Sequence, residues 1–375
     1  AKTKDIAMLQ RRAPARASSQ PRPATAVSLY ISLSLPLLLA ASFVPSSNAS
    51  QCSISTGGYH TCALGNELHC WGDGGYGQLG RADGERGPVG GNAGETGLAA
   101  FPASDLGTDV TILEVSCGQY MGCALLSGGI IKCWGNAQGG ILGNGEASTW
   151  TGDDAGEMGD VLTAVDLGTG LAALQISCYN GHCCALLTGG LVKCWGNNDH
   201  GQLGQGDMAH RGDQSGEMGD YLPAVILGAR AMAVAAGWRN TCALLENGLI
   251  KCWGGDSIGV AADQMGDALA PVDLGAGRTA VALARSCAIL DTGDLACWNR
   301  DNTGVGAQTA VIQNLGAGRT VVAVAPGYLH FCAITQVHAT LASREVKCWG
   351  SAEDSAASAD GRLGYGNLAG RFASG

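Results

Sequence analysis

The chain has 375 residues, with 22 Lys and Arg against 32 Asp and Glu, for a formal net charge of −10. That balance disfavours a partner held through a basic face, nucleic acid above all, because phosphates would be repelled. Sixteen cysteines and 60 glycines against four phenylalanines exclude a core built mainly on phenylalanine and point to many short turns with cross-linked elements between them.

Residues 1–50 stand apart from the rest. Ala26 to Val44 form an apolar run, preceded by Lys2, Lys4, Arg11, Arg12, Arg16 and Arg22 and followed by Ser46-Ser47-Asn48-Ala49-Ser50. This is the layout of a secretory signal with small residues near a cleavage point at 49–51, and its length also suits an uncleaved signal anchor. Without these residues, sixteen basic face thirty-one acidic side chains. The expectation is a leader at 1–50 and one repeat domain at 51–375, either secreted or held at the cell surface, where sixteen cysteines suit an oxidising compartment.

From residue 52 onward one unit recurs six times. A stretch containing Cys-Ala-Leu or Cys-Ala-Ile turns at a tip and returns as Cys-Trp, from Cys62 to Trp71, Cys123 to Trp134, Cys184 to Trp195, Cys242 to Trp253, Cys287 to Trp298 and Cys332 to Trp349. Self-similarity at such a period marks a repeat architecture. In four copies the two cysteines are ten residues apart, so facing each other they close a three-residue loop such as Glu246-Asn247-Gly248. Its last position favours a left-handed residue and holds Gly129, Gly190, Gly248 and Gly293. Turn chemistry and cysteine pairing therefore select one register. Six disulfides are expected: Cys62 with Cys70, Cys123 with Cys133, Cys184 with Cys194, Cys242 with Cys252, Cys287 with Cys297 and Cys332 with Cys348.

Each hairpin is preceded by an apolar segment, such as Ala231 to Gly237. It is followed by Gly-Gln-Leu-Gly or a relative at Gly77–Gly80, Gly140–Gly143, Gly201–Gly204 and Gly361–Gly364. A strand-like run ending Leu-Gly closes most units, as at Val165 to Gly168 and Val225 to Gly228. About four short strands per unit, with few helix-length periodic segments, predict an all-β fold of propeller blades.

The pattern of apolar residue, Gly, Tyr59-His60-Thr61-Cys62-Ala63-Leu64, Cys-Trp-Gly and Gly77-Gln78-Leu79-Gly80 resembles the repeats of the regulator of chromosome condensation family over roughly residues 52–367. The resemblance implies a β-propeller, typically of seven blades; with six units visible, we expect a seven-bladed ring truncated at the C-terminus. It implies no single activity, since this propeller carries nucleotide exchange on a small GTPase, chromatin binding, enzyme inhibition and receptor ectodomains.

Candidate chemistry outside the hairpins is sparse. Cys52, Cys117, Cys178 and Cys183 have no hairpin partner. Cys117 and Cys178 hold equivalent places, so a bridge between neighbouring blades is conceivable. A zinc set of Cys117, Cys123 and Cys133, echoed by Cys178, Cys184 and Cys194, competes with the disulfide reading but lacks matching histidine ligands. Gly156-Glu157-Met158-Gly159-Asp160 and Gly216-Glu217-Met218-Gly219-Asp220 gather carboxylates as a calcium loop does, without its ligand periodicity. Arg211-Gly212-Asp213 matches an integrin-read tripeptide and Asn48-Ala49-Ser50 a glycosylation sequon, each too short to carry weight. His60, His182 and His330 repeat with the fold and read as packing residues.

No nucleophile elbow, zinc-protease helix or phosphate loop is present. The expected function is a non-catalytic, monomeric scaffold for a protein or glycan ligand, without cofactor, metal or nucleic acid. Recognition is expected at the loops 81–104, 146–160, 207–220 and 336–345. The alternatives are a guanine-nucleotide exchange factor for a small GTPase and a secreted enzyme or enzyme inhibitor.

Overall fold

A computed structural model describes residues 53–91, 101–146, 149–255, 261–298, 309–326, 330–337 and 344–350. Residues 1–50, Cys52 and 351–375 lie outside them, and with them the leader, the last Gly-x-Leu-Gly and the question of a seventh blade. Among the described residues no helix is long and apolar enough to cross a membrane.

Among the described residues six antiparallel sheets follow one another along the chain, and the fold is an all-β propeller. The blades are built on the strand triplets Ser53–Thr56, His60–Leu64 and Leu68–Gly72; Ile112–Cys117, Met121–Leu126 and Ile130–Asn136; and Ala173–Tyr179, His182–Leu187 and Leu191–Gly196. The remaining three are Ala231–Ala236, Asn240–Leu245 and Ile250–Gly254; Ala280–Ala284, Cys287–Leu290 and Leu295–Cys297; and Arg319–Pro326, His330–Val337 and Glu345–Gly350. Among the described residues the expected fourth strand is a true strand in blades 2 and 5, at Trp150–Thr151 and Val311–Ile312. In blades 1, 3 and 4 it shrinks to single bridges such as His69 with Ala103, Gly196 with Arg211 and Lys251 with Pro271. The glycine- and proline-rich connecting segments offer few residues able to extend a ladder there.

Every hairpin takes the register in which its cysteines oppose one another, as with Cys123 and Cys133 or Cys242 and Cys252. Gly129, Gly190, Gly248 and Gly293 sit at φ of 77°, 78°, 77° and 82°, the left-handed region the three-residue loop requires. The tip then serves the next blade. The carbonyls of Gly129, Gly248 and Gly293 accept the N–H groups of Ala173, Ala280 and Val321.

The two other repeated motifs turn out to be halves of one contact. The indole N–H of Trp134 donates to the Gln78 carbonyl at 3.0 Å, that of Trp195 to Ile141 at 2.9 Å, and that of Trp253 to Gln202 at 3.0 Å. In these three blades the tryptophan after the hairpin cysteine is thus satisfied by the Gly-x-Leu-Gly turn of the preceding blade, and all three rings are fully buried, whereas the buried indole N–H of Trp298 in blade 5 has no hydrogen-bond partner among the described residues. The core is correspondingly divided by blade interfaces; one cluster joins Met121, Cys123 and Ile131 of blade 2 to Ile176, Leu187 and Trp195 of blade 3. Side chains on the first strands complete the joint. Ser55, Ser116 and Ser177 accept the backbone N–H groups of Cys117, Cys178 and Ala236, while Glu114 and Gln175 accept those of Ile176 and Val234.

Candidate binding surface

The turn between the first two strands of a blade is short and glycine-bearing, and it projects the residue just before the second strand. In blades 1 and 2 that residue is Tyr59 and Tyr120, and their rings stack at 5.1 Å. Tyr76, from the loop after the first hairpin, meets Tyr120 edge-on at 4.8 Å and Trp150 at 5.3 Å. Four aromatic rings therefore run in sequence across two blades. Tyr59 is 56% and Trp150 40% exposed, so the row reaches solvent at both ends. Arg86 places its guanidinium over Trp150 at 5.0 Å and its Nε 2.7 Å from Asp153 Oδ2. Asp73, whose charge acts on Tyr120, holds the adjoining turn through the Gly75 N–H and the Gln78 amide. Burial above all keeps the Tyr120 hydroxyl's pKa raised, with its hydrogen bond to Tyr59 next.

Rigid amphipathic rings with polar tips, flanked by carboxylates, form a surface suited to recognition. Two of the loops expected to carry recognition feed it: Arg86 comes from 81–104 and Trp150 and Asp153 from 146–160. In the loop 207–220 the side chains turn to each other, with Arg211 bonded to Asp207 and His210 to Asp199. Arg211 also donates to the carbonyls of Ala209 and His210, so the Arg-Gly-Asp tripeptide is not displayed in an open form. The tip 336–345 lies largely outside the described residues.

The cysteines are arranged as follows. Cys62–Cys70, Cys123–Cys133, Cys184–Cys194, Cys242–Cys252, Cys287–Cys297 and Cys332–Cys348 are each joined within a hairpin. A seventh bond, Cys178–Cys183, lies within blade 3 and displaces the conceivable bridge from Cys178 to Cys117. Cys117 is a buried thiol whose pKa burial pushes up to about 12. Its strand partner is Gly122 where Cys178 has Cys183, so no second sulfur faces it within its own sheet. The zinc set fails for the same reason. Cys123 and Cys133 are bonded to each other, and Cys117 instead neighbours His60 and Cys62 of blade 1, of which Cys62 is already in a disulfide.

The acidic glycine loops have a structural use. Glu157 accepts the N–H groups of Gly152 and Asp154, and Glu217 those of Gly212 and Gln214. Asp160 and Asp220 accept both the N–H and the hydroxyl of Thr108 and Thr169. The Gly159, Gly219 and Gly266 carbonyls accept the ammonium groups of Lys132, Lys193 and Lys251, which also bind Leu106, Leu167 and Leu227. Carboxylates already saturated by backbone donors make a poor calcium cage. His60 and His182 are buried and kept neutral, with pKa values lowered by burial to about 4 and about 3, and His182 pairs with the Thr241 hydroxyl at 2.9 Å.

The aromatic row itself escaped sequence reasoning. Tyr59 and Tyr120 share one repeat position, which is a usable signal, but Tyr76 comes from a loop and Trp150 from the short strand Trp150–Thr151, and nothing in the repeat pattern brings them beside the first two.

Comparison with known proteins agrees with this fold. Residues 174–202 and 233–257, and also 190–244, match models described as the regulator of chromosome condensation (RCC1) repeat. The chain is 32% identical over 209 residues to the ultraviolet-B receptor UVR8 of Arabidopsis thaliana, covering 54% of this chain and 40% of the receptor. It is 30% identical over 205 residues to the mitochondrial RCC1 domain-containing protein RUG3 of the same plant, covering 54% and 41%. The aligned part thus spans about two fifths of the length of these relatives. Among solved structures, yeast RCC1 (Prp20), crystallised with Kap60, superposes with a TM-score of 0.56 at 18% identity over 80% of this chain and 69% of that one, which speaks to the fold alone.

Proposed function

Starting from a chain built of regulator of chromosome condensation repeats, we propose that it is an extracellular, non-catalytic propeller that binds a partner through the aromatic face of blades 1 and 2. The observation that carries this reading is the row Tyr59, Tyr120, Tyr76 and Trp150, which reaches solvent at Tyr59 and Trp150 on a scaffold that buries Trp134, Trp195 and Trp253 between blades. Rigid rings lose little entropy on binding, so such a surface is favourable for association. Hairpin disulfides in all six described blades support an oxidising compartment, as does the apolar run at 26–44. Yeast RCC1 with Kap60 is a propeller of this fold in complex with another protein; we carry over protein binding and not that partner.

The reading is tested by expressing the tagged full chain in eukaryotic cells, locating it, mapping its thiols, and assaying nucleotide release from a panel of small GTPases. Recovery from the medium with oxidised hairpins and without exchange activity is expected. Cytosolic or nuclear retention with reduced cysteines and accelerated nucleotide release would hand the case to the exchange-factor alternative.

A further inference from the structure

We propose that Trp150 and Asp153 form a guanidinium-binding site, occupied in the free protein by Arg86 and taken over by an arginine side chain of the partner. This rests on the binding reading above and names the chemistry recognised at one end of that face.

Asp153 is only 3% exposed. A buried carboxylate needs a cation or a full set of donors, and without them it is costly. Desolvation raises its pKa, and Arg86 is the largest influence acting in the opposite direction. Yet Arg86 serves it incompletely. Nε stands 2.7 Å from Oδ2, but its N–H is not aimed to complete a hydrogen bond, and Oδ2 remains without one. The second arm of the guanidinium, Nη2, reaches only to 3.9 Å from Asp154. A guanidinium presented from another direction can align with the carboxylate and gain what Arg86 forgoes.

The rest of the site matches the same ligand. The indole face of Trp150 already carries a cation at 5.0 Å, which shows that the ring is placed for a planar cation beside the carboxylate. Arg86 itself is 48% exposed and sits on a loop fastened at Gly84, whose N–H donates to the Asp153 carbonyl, and at Val89, which bridges to Gly72. Its side chain can swing away without moving that backbone. The next blade is the internal comparison. Gly212-Asp213 repeats Gly152-Asp153, and Asp213 Oδ1 is also buried without a hydrogen-bond partner, but His210 stands where Trp150 does. The carboxylate thus belongs to the repeat, while Trp150 is where blade 2 departs from it. Departures from the repeat are where a specific ligand is to be sought. Tyr76, Tyr120 and Tyr59 then continue from Trp150 as a platform for residues flanking the arginine.

The test uses fluorescence anisotropy with the disulfide-intact full chain and three dye-labelled peptides that differ only at one central residue: arginine, lysine or the neutral isostere citrulline. The arginine peptide should bind most tightly. Arg86→Ala should strengthen its binding about tenfold by removing the resident competitor, and Trp150→Ala should abolish it. Equal binding of the arginine and citrulline peptides, or weaker arginine binding by Arg86→Ala, would overturn the proposal. Thermal melts of each variant guard against misfolding, and the citrulline comparison needs no variant at all. A partner still captured through Tyr59 and Tyr120 while the arginine peptide fails to bind would refute the guanidinium site and leave the binding function standing.

Discussion

Cys123 Sγ in blade 2 lies 3.8 Å from Cys183 Sγ in blade 3, so two disulfides of neighbouring sheets, Cys123–Cys133 and Cys178–Cys183, touch across the blade interface. Cys183 and Cys184 are consecutive on one strand and point to opposite faces, which lets each close its own bond. A peptide map after stepwise reduction should find Cys178 linked to Cys183 and Cys184 linked to Cys194. A peptide joining Cys117 to Cys178 would contradict this arrangement. Iodoacetamide should leave Cys117 unmodified in the native protein and label it on denaturation, because a buried thiol with its pKa near 12 offers neither access nor thiolate.

The hairpin was legible because two unrelated constraints, opposed cysteines and a left-handed glycine, select the same register. The Cys178–Cys183 bond was not, since the same positions in blade 2 are Cys117 and Gly122 and no repeat betrays it. The lysine clasp was equally hidden. Lys-Cys-Trp is plainly periodic, but that Lys132, Lys193 and Lys251 are buried against carbonyls of the Gly-Asp turns becomes visible only once distant loops are folded together. The aromatic row needs residues 59, 76, 120 and 150 from three loops and a strand, which periodicity cannot assemble.

Alanine at Gly129 should destabilise the protein by roughly 2 kcal/mol, more than left-handed strain of about 1 kcal/mol alone. A Cβ there would stand 2.6 Å from the Ala172 Cβ and 2.8 Å from the Ala173 nitrogen, pushing on the next blade. Gly65, at the first hairpin tip, meets nothing within 4 Å and is the control. Chemical denaturation of the two variants checks this; equal stability would refute the packing role of the tip.

Lys193→Met should cost roughly 2 kcal/mol, since it strips two buried carbonyls, Leu167 at 2.9 Å and Gly219 at 2.8 Å, of their donor. Blade 5 has Ala296 in this position, which fits a clasp that stabilises each blade separately and not one on which folding as a whole depends. The variant should therefore still fold and remain disulfide-bonded, with a lowered melting temperature. A melting temperature equal to that of the wild type would contradict the clasp.

Glu114 predicts a pH dependence. Desolvation raises its pKa from 4.5 to about 7, against the lowering effect of the Ile176 N–H it accepts. The folded chain therefore binds the proton more tightly than the unfolded chain does, and stability declines as pH rises from about 4.5 through 7. Glu114→Gln keeps the acceptor, as Gln175 does for Val234 one blade on, and removes the charge. It should stabilise the protein at pH 8, by at most ~3 kcal/mol, and change little at pH 4. His60 and His182 act in the opposite sense: their lowered values, about 4 and about 3, mean that stability is lost as pH falls below 6.5. Urea midpoints across pH 4 to 8 for wild type and Glu114→Gln measure both limbs; identical profiles would refute the assignment to Glu114.

We assign recognition to the aromatic face of an oxidised binding propeller. The most direct test is photo-crosslinked partner capture from extracellular fluid by the secreted full chain, by the double variant Tyr59→Ala with Tyr120→Ala, and by Tyr221→Ala, which alters an 80% exposed tyrosine outside the row. All three should melt at nearly the same temperature. We predict that the double variant loses the crosslinked species while Tyr221→Ala retains it; undiminished capture by the double variant would contradict the claim.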